Sequence, residues 1–265
     1  KYYGAHTGRW SGQDKINMQN LPSRDKKKKA LKNAIVPPPG YVVINSDSSQ
    51  IEARMTAWLA GQDDVVEQFA KGEDVYSIFA TKIYGKEISK ANPIERFVGK
   101  TCILGLGYGT GAEKLRHTLK TQPPGADLPI EECTEIVRLY RRENLMIPKL
   151  WEACERALVD LMADNFDPYY LDDHKVIGIA PGRISLPNGL NIRYPDLRRD
   201  DTEGKSRLVY KSRRGPVNIW GGAMVENIVQ ALARIIVADQ LIKANERYPV
   251  AVSYTHLRAH ETDSY

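Results

Sequence analysis

The spacing of apolar residues predicts a strand followed by a helix near the start of the chain. Residues 41–44 (Tyr-Val-Val-Ile) form a short apolar run after a proline-rich turn, which predicts a buried strand. Ile51, Met55 and Leu59 then recur every four residues, which predicts an amphipathic helix. That helix should end at Gly61.

The middle of the chain is patterned mainly for helices. Asn92 followed by Pro93 is typical of a helix start, since Asn caps well and Pro suits the first helical position. This helix should run to the glycines in 105–111. Apolar residues at helical spacing predict further helix over 130–164, with Pro148 as a break.

Strand-like segments return in the last third. The predicted strands are 175–180, 183–186 and 190–194. Residues 187–189 (Pro-Asn-Gly) indicate a hairpin turn between the last two. A long amphipathic helix is predicted over 223–244, and a strand over 249–252. This order predicts an α+β fold in which a helical insertion separates two parts of one sheet domain.

Composition fits a soluble globular protein of one or two domains, with 265 residues, 42% hydrophobic and 27% charged. We find no stretch near the roughly 20 apolar residues of a membrane helix, and we expect no membrane partner. The net charge of +5 favours phosphate-rich partners without requiring them. The three cysteines are too widely spaced for a CxxC site, so we expect reduced, buried thiols at Cys102, Cys133 and Cys154.

Asp47 is the first candidate for chemistry. A carboxylate at the end of a buried strand sits at a rigid edge, which suits a metal ligand. The alternative is a helix cap, which is the commoner role of an Asp-Ser-Ser string.

A second candidate is a stripe of side chains four residues apart on the helix after Pro93. At about 1.5 Å per residue the stripe spans roughly 18 Å, which is about the length of an extended nucleoside triphosphate. Its two cations could hold phosphates, and its apolar and aromatic members could meet sugar and base. The alternative is an ordinary amphipathic helix with solvated cations. The stripe consists of Arg96, Lys100, Leu104 and Tyr108.

Three strings together resemble family A DNA polymerases. Residues 47–54 (Asp-Ser-Ser-Gln-Ile-Glu-Ala-Arg) match the first signature of that family at every defined position. Arg96-x3-Lys100-x7-Tyr108-Gly109 resembles the signature of its fingers helix. Residues 7–9 and 17–22 resemble the segment leading into its palm. The resemblance runs from about residue 1 to 252. Within the family, the sequence is most similar to phage and viral members.

The resemblance implies roles for residues at the nucleotide. Asp47 would bind Mg²⁺, of which the family uses two ions, and the nucleotide would also meet Gln50. Arg96 and Lys100 would bind the triphosphate, and Lys100 would protonate the leaving pyrophosphate. All three of Asp47, Arg96 and Lys100 are thus catalytic candidates.

The resemblance also implies how the sugar and base are recognised. Tyr108 would stack near the templating base and contact Glu52, and Glu52 would block a ribose 2′-hydroxyl. Leu104 stands where the family commonly has Phe or Tyr, which puts the usual sugar discrimination in doubt. The residues expected to contact DNA are Arg9, Asn20, Arg54 and Gln230.

The same resemblance divides the chain and names its partners. The expected parts are a thumb-to-palm connection (1–30), the first part of the palm (31–62), the fingers (63–185), an incomplete second part of the palm (186–252) and a non-native tail (253–265). The partners would be primer-template DNA and deoxynucleoside triphosphates, in the cytoplasm of a bacterial or phage-infected cell. Any processivity factor is left open.

A second catalytic carboxylate is expected in a His-Asp hairpin soon after Val250. No His-Asp pair is present, and the chain instead continues through His256 and His260, which lack a third ligand. We therefore expect a fragment of a longer polymerase that is inactive or nearly so. Two alternatives stay open: a non-catalytic nucleic-acid or nucleotide-binding module, and a single-subunit RNA polymerase relative, against which Glu52 argues.

Overall fold

A computed structural model describes residues 3–4, 6–11, 30, 34, 36–40, 42, 47–202, 204, 206–213 and 215–247. This part of the chain is a mixture of α-helices and small antiparallel sheets. The helices are α1 Ile51–Ala60, α2 Asp63–Ala70, α3 Val75–Tyr84, α4 Pro93–Gly105, α5 Ala112–Thr121, α6 Ile130–Glu143, α7 Met146–Asp160 and α8 Gly221–Asn245. A 3₁₀ turn, Leu106–Tyr108, follows α4.

The described strands form three separate sheets. They are β1 Tyr3–Gly4, β2 Trp10–Ser11, β3 Tyr169–Tyr170, β4 Gly178–Ala180, β5 Arg183–Ser185, β6 Asn191–Ile192, β7 Arg198–Asp200, β8 Arg207–Ser212 and β9 Gly215–Ile219. Their orders are β1-β2, β3-β4-β5-β6 and β7-β8-β9, and every pairing is antiparallel. The predicted mixture of helix and sheet is confirmed.

The predicted helix after residue 50 is confirmed as α1. It ends at Gly61, whose φ of 68° places it in the left-handed region that glycine tolerates best. The next residue, Gln62, is buried, and its side-chain oxygen accepts a hydrogen bond of 3.0 Å from the backbone of Met146. This bond fixes the end of α1 to the start of α7.

Helices α3 to α6 pack around their own core. Its buried members include Phe79, Val98, Cys102, Leu115, Leu119, Cys133, Ile136 and Tyr140. Cys102 and Cys133 lie in this core and Cys154 in the other large one, and all three are free and buried as predicted. Gly99 brings α4 very close to α3, because a Cβ at Gly99 would lie 2.2 Å from the backbone oxygen of Tyr76.

The larger core joins α1, α7 and α8 to the sheet β3–β6 and to one face of β8–β9. Its fully buried members include Leu158, Ile177, Ile179, Ile184, Met224 and Ile228. The predicted hairpin turn lies within this sheet, where Ile184 pairs with Ile192 and Gly189 donates a 3.0 Å hydrogen bond to the backbone of Leu186.

Helix α8 begins in close contact with α7 and with the 3₁₀ turn. A Cβ at Gly221 would lie 2.0 Å from the backbone oxygen of Trp151, and one at Gly222 would lie 2.4 Å from that of Tyr108. The indole of Trp151 donates a 2.7 Å hydrogen bond to the backbone of Gly107. The side chain of Glu155 accepts a hydrogen bond from the Gly221 amide, which caps the helix N-terminus.

Several details differ from the predictions. The break in the segment 130–164 falls at Asn144–Leu145 rather than at Pro148, because Pro148 lies in the first turn of α7, where its missing N–H has no helical partner to lose. Asn92 precedes α4 but its side chain does not cap it, since that oxygen instead accepts from the backbone of Ser89.

Neither of the two strands expected to build one sheet around the helices is present among the described residues. Of 41–44 only Val42 is described, and its 81% exposure does not fit a buried strand, because no described element covers it. Residues 249–252 lie outside the described residues. The sheet β7–β9 was not predicted, because β7 is three residues long and charged throughout, and β9 begins with Gly-Pro, which is unusual in a strand.

One described helix, α8, is long and apolar enough to cross a membrane by length and composition, which corrects the expectation that no stretch is. Half of that window is buried against the rest of the structure. Helix α8 packs mainly on α7 and α1, as the core helix of a globular protein does.

The close approach at Gly99 predicts a strong effect of one methyl group. We expect Gly99→Ala to lower the free energy of unfolding by about 2 kcal/mol or more, because the backbone of α3 must move away. Gly105→Ala in the same helix is the matched control, since its Cβ would meet nothing within 4 Å. We expect that control to change stability by less than about 1 kcal/mol, in the stabilising direction. Denaturant unfolding measures both, and equal midpoints would contradict the packing.

Candidate nucleotide and DNA site

Glu52 lies at the centre of the candidate site. It occupies the first turn of α1 and is only 4% exposed, and neither of its carboxylate oxygens has a hydrogen-bond partner among the described residues. Burial raises the pKa of Glu52 from 4.5 to about 7; the charge of Glu226 adds to this rise and the charge of Arg9 opposes it. An unpartnered buried carboxylate is unfavourable for folding, which favours a functional role for it.

Tyr108 lies beside this carboxylate. Its position on the 3₁₀ turn interrupts the predicted helical stripe, so Tyr108 does not continue α4. Burial raises the pKa of Tyr108 well above its usual value, and the charge of Glu52 adds to the rise. The hydroxyl of Tyr108 accepts a long 3.5 Å hydrogen bond from Thr56, and the expected contact between Tyr108 and Glu52 stays a prediction.

Helix α8 and the N-terminal segment complete this group. Gln230 donates a 3.2 Å hydrogen bond to Glu226, one turn earlier on α8. Burial raises the pKa of Glu226, whereas the charges of Lys114 and Arg9 oppose that rise. The structure thus brings together Arg9, Glu52 and Gln230, which lie far apart in the sequence. Glu226 was not among the predicted site residues, although its place one turn before Gln230 was visible in the sequence.

Arg96 is held by an acidic partner. Its guanidinium donates hydrogen bonds of 2.6 and 3.1 Å to the two carboxylate oxygens of Asp74 and lies 5.4 Å from the centre of the Tyr76 ring. Burial alone would raise the pKa of Asp74, but the hydrogen bonds from Arg96 and Ser77 lower it below its usual value. Three of the five guanidinium N–H groups remain for another anion.

The other members of the stripe lie along the same side of α4. Lys100 is half-buried one turn after Arg96. Leu104 packs against a small core that includes Tyr76. Burial raises the pKa of Tyr76, and a hydrogen bond from the side chain of Gln50 opposes that rise. Gln50 therefore lies next to Tyr76, close to Arg96 and Leu104. Gln50 has a φ of 58°, a strained value for a residue other than glycine.

Arg54 is positioned by backbone oxygens. It donates to the backbone oxygens of Ser49 at 3.1 Å and of Phe69 at 3.3 Å, and its guanidinium stacks over the Phe69 ring. These bonds fix the start of α1 to the end of α2. Its contact with DNA stays a prediction.

Asp47 is exposed just before α1. The adjacent Ser48 donates a 2.7 Å hydrogen bond to Gln240, so this segment lies at the C-terminal half of α8. Among the described residues, no three His, Cys, Asp or Glu side chains form a group that could hold a metal ion. Asn20, His256 and His260 lie outside the described residues.

A model of the DNA polymerase family A matches residues 1–154, which is more than half of the chain. The chain belongs to DNA polymerase family A. Among the relatives of this family A chain is the DNA polymerase of Bacillus phage SP02, which is 30% identical over 299 residues. That alignment covers 97% of this chain and 45% of the phage protein. The thermostable DNA polymerase I of Thermus thermophilus is 31% identical over 134 residues, covering 51% of this chain and 15% of that protein.

A solved structure shows the same fold for this family A chain. The polymerase domain of Pol1 from M. smegmatis, in complex with a DNA primer-template and a dNTP, matches with a TM-score of 0.56 and 23% identity. The match covers 91% of this chain and 37% of that one. The chain therefore spans less than half the length of the relatives it matches.

The burial of Glu52 predicts a pH-dependent stability. A carboxyl whose pKa is raised by folding contributes stability that is fully present below pH 4.5 and is lost as the pH rises through 7. The rise corresponds to roughly 3 kcal/mol. We therefore expect Glu52→Gln to gain stability relative to the unsubstituted chain, by up to roughly 3 kcal/mol, as the pH goes from 4.5 to 8.

Denaturant unfolding at several pH values measures this gain. Glu152→Gln is the control, because Glu152 is also on a helix but is exposed. The same pH dependence in both variants would show that Glu52 is not buried as a proton-binding carboxyl.

Proposed function

We propose that this chain is the polymerising part of a template-directed DNA polymerase, which adds deoxynucleotides to the 3′ end of a primer. Family membership and the names of the relatives support this. The observation that carries the proposal is the unpartnered carboxylate of Glu52, buried beside Tyr108 and facing Arg9 and α8. Because this carboxylate has no hydrogen-bond partner among the described residues, it can form one polar wall of a ligand pocket.

We assign this wall to the sugar of the incoming nucleotide. Glu52 lies on a helix fixed at both ends, so it cannot readily move aside for a ribose 2′-hydroxyl. Tyr108 would stack near the templating base from the adjacent 3₁₀ turn. Leu104 is apolar and packs against α2 and α3, so it would offer the nucleotide no hydroxyl or ring.

The triphosphate would lie along α4. Arg96 and Lys100 are one turn apart, and the hydrogen bonds to Asp74 hold the Arg96 guanidinium in one orientation while leaving donors for phosphate oxygens. Lys100 would neutralise the phosphates and give its proton to the leaving pyrophosphate. Gln50 would contact the nucleotide from the start of α1.

Asp47 would bind Mg²⁺. Mg²⁺ typically takes one or two carboxylates together with substrate phosphates, and an exposed carboxylate at the start of α1 fits that donor set. When bound, two such ions would lower the energy of the pentavalent phosphorus and of the leaving group. Since the sequence has no His-Asp pair, we propose that the 265-residue chain alone is inactive or nearly so.

The primer-template would lie against α8 and the N-terminal segment. Gln230 would check base pairs in the minor groove, where acceptors are shared by all pairs. Arg9 and Asn20 would contact the DNA backbone or minor groove, and Arg54 would also contact the DNA. We propose the thumb-to-palm connection at 1–30, the palm at 31–62 and 186–252, and the fingers at 63–185. The setting would be the cytoplasm of a bacterial or phage-infected cell.

The RNA polymerase alternative is disfavoured by Glu52 in the sugar-blocking position. A binding module without catalysis predicts that Asp47 has no effect on synthesis. The decisive comparison therefore uses the full-length protein that contains this chain.

We expect Asp47→Asn in that protein to lower primer extension at least about 100-fold, because a metal ligand supplies several kcal/mol to the transition state. Primer-template affinity should change little. Asp164→Asn is the control, since Asp164 is also exposed and lies far along the chain from α1. Undiminished synthesis by Asp47→Asn would show that Asp47 binds no catalytic metal. The 265-residue chain, assayed alongside, should extend the primer little or not at all.

A further inference from the structure

Trp220 is exposed at the junction between β9 and α8. Its backbone is extended, with φ −149° and ψ 169°, so residue 220 continues the alternation of β9 beyond the end of the strand. Ile219 packs into the larger core, and Trp220 therefore points to the opposite side. The residue is left 48% exposed, directly before the first turn of α8.

The ring of Trp220 has no partner in the part of the chain that the structure describes. Trp58 stacks on His174 with 4.3 Å between the ring centres, and Trp151 donates its indole hydrogen bond to Gly107. Trp220, by contrast, makes no hydrogen bond and no ring contact with a described residue. Exposed tryptophan is typical of interfaces, because its large rigid ring is combined with a polar N–H group.

Trp220 adjoins the backbone end of Tyr108. A Cβ at Gly222 would lie 2.4 Å from the backbone oxygen of Tyr108 and 3.1 Å from the indole nitrogen of Trp220. A Cβ at Gly109 would lie 3.7 Å from the same nitrogen. The hydroxyl of Tyr108 is at the other end of that residue, beside Thr56 on α1. The indole thus lies next to the 3₁₀ turn, at the opposite end of Tyr108 from the helix that carries the proposed sugar wall.

An exposed cation also lies near the start of α8. Lys114, in the first turn of α5, makes no hydrogen bond or ion pair with a described residue. Burial raises the pKa of Glu226 and the charge of Lys114 opposes that rise, so Lys114 lies towards α8. Burial also raises the pKa of Cys133 and the charge of Glu113 adds to it, so Glu113 lies towards α6. Aromatic rings and cations together are the features with which proteins bind single-stranded nucleic acid.

The ring suits an unpaired base better than a duplex. Paired bases stack on one another and present only their edges in the grooves, so a ring beside a duplex meets no base face. An unpaired base does offer its face, and because every base has one, stacking tolerates any sequence. If Tyr108 lies near the templating base, as proposed above, the unpaired base nearest to Trp220 is the next one on the template strand.

We propose that Trp220 is a stacking platform for the unpaired template base next to the base being copied. Stacking there would keep the unpaired strand at the backbone side of the 3₁₀ turn, away from the proposed sugar wall. The inference rests on the proposed function, because it takes the template strand as the occupant.

The test compares two DNA molecules bound by the 265-residue chain: a primer-template with a single-stranded 5′ template overhang, and the blunt duplex with the same paired sequence. We expect Trp220→Ala to weaken binding to the overhang substrate roughly 5- to 150-fold, the effect of losing one stack between a base and an aromatic ring. Binding to the blunt duplex should not change. Trp220→Phe should keep most of the affinity for the overhang, because it retains a ring, and it covers the case in which Trp220→Ala does not fold.

An abasic site at the first unpaired template position removes the base instead of the ring. The unsubstituted chain should bind this template about as weakly as Trp220→Ala binds the intact one. Trp220→Ala should bind both templates equally, because the interaction is already lost. Losses that multiply independently would contradict stacking between this ring and this base.

Tyr170→Ala is the matched control, because Tyr170 is an aromatic residue that is 58% exposed on β3. It should bind both substrates as the unsubstituted chain does. Unchanged binding of the overhang by Trp220→Ala would overturn the platform, leave the ring to a protein partner and let the proposed function stand. An equal loss on both substrates would also overturn it, since Trp220 would then contact the duplex. A chain that binds neither substrate at low salt would contradict both the platform and the proposed function.

Discussion

The site depends on the close approach of α8 to the 3₁₀ turn. Gly221 and Gly222 allow the N-terminus of α8 to touch the backbone of Trp151 and Tyr108, where any side chain would collide. The hydrogen bond from Trp151 to Gly107 fixes the same turn from α7. Because α8 carries Glu226 and Gln230 and the turn carries Tyr108, this contact decides how the proposed DNA-binding helix meets the proposed nucleotide pocket.

The same geometry explains why Glu52 is kept where folding disfavours it. Its carboxylate is enclosed by α1, the 3₁₀ turn and α8, and Arg9 compensates only part of the burial. Asp74 and Arg96 show the contrasting arrangement, since that pair is bidentate and partly exposed. At the proposed phosphate end of the pocket, the ion pair with Asp74 holds Arg96 in place. At the proposed sugar end, Glu52 has no hydrogen-bond partner among the described residues.

The elements that could be predicted from the sequence are those whose signals lie within a few neighbouring residues. Apolar spacing and end signals predicted α1, α4, α8 and the hairpin turn at 187–189, because these depend on residues a few positions apart. Helix spacing could not show that Tyr108 leaves α4 on a tighter turn, that Arg96 is paired with Asp74, or that β7–β9 forms a sheet. Those features depend on contacts between distant residues. In the sheet β7–β9, strand β7 is charged throughout and β9 begins with Gly-Pro, so neither has the apolar alternation that predicts a strand. Family membership was visible in the ordered motifs, but the grouping of Arg9, Glu52 and Glu226 required the fold.

We propose that Glu52 forms the wall that faces the sugar in a deoxynucleotide pocket. The most direct measurement is the competition between deoxyribonucleoside and ribonucleoside triphosphates during primer extension by the full-length protein carrying Glu52→Ala. We expect ribonucleotide incorporation to rise by at least tenfold relative to deoxynucleotide incorporation, which corresponds to about 1.4 kcal/mol of lost discrimination. An unchanged ratio, with synthesis intact, would contradict it.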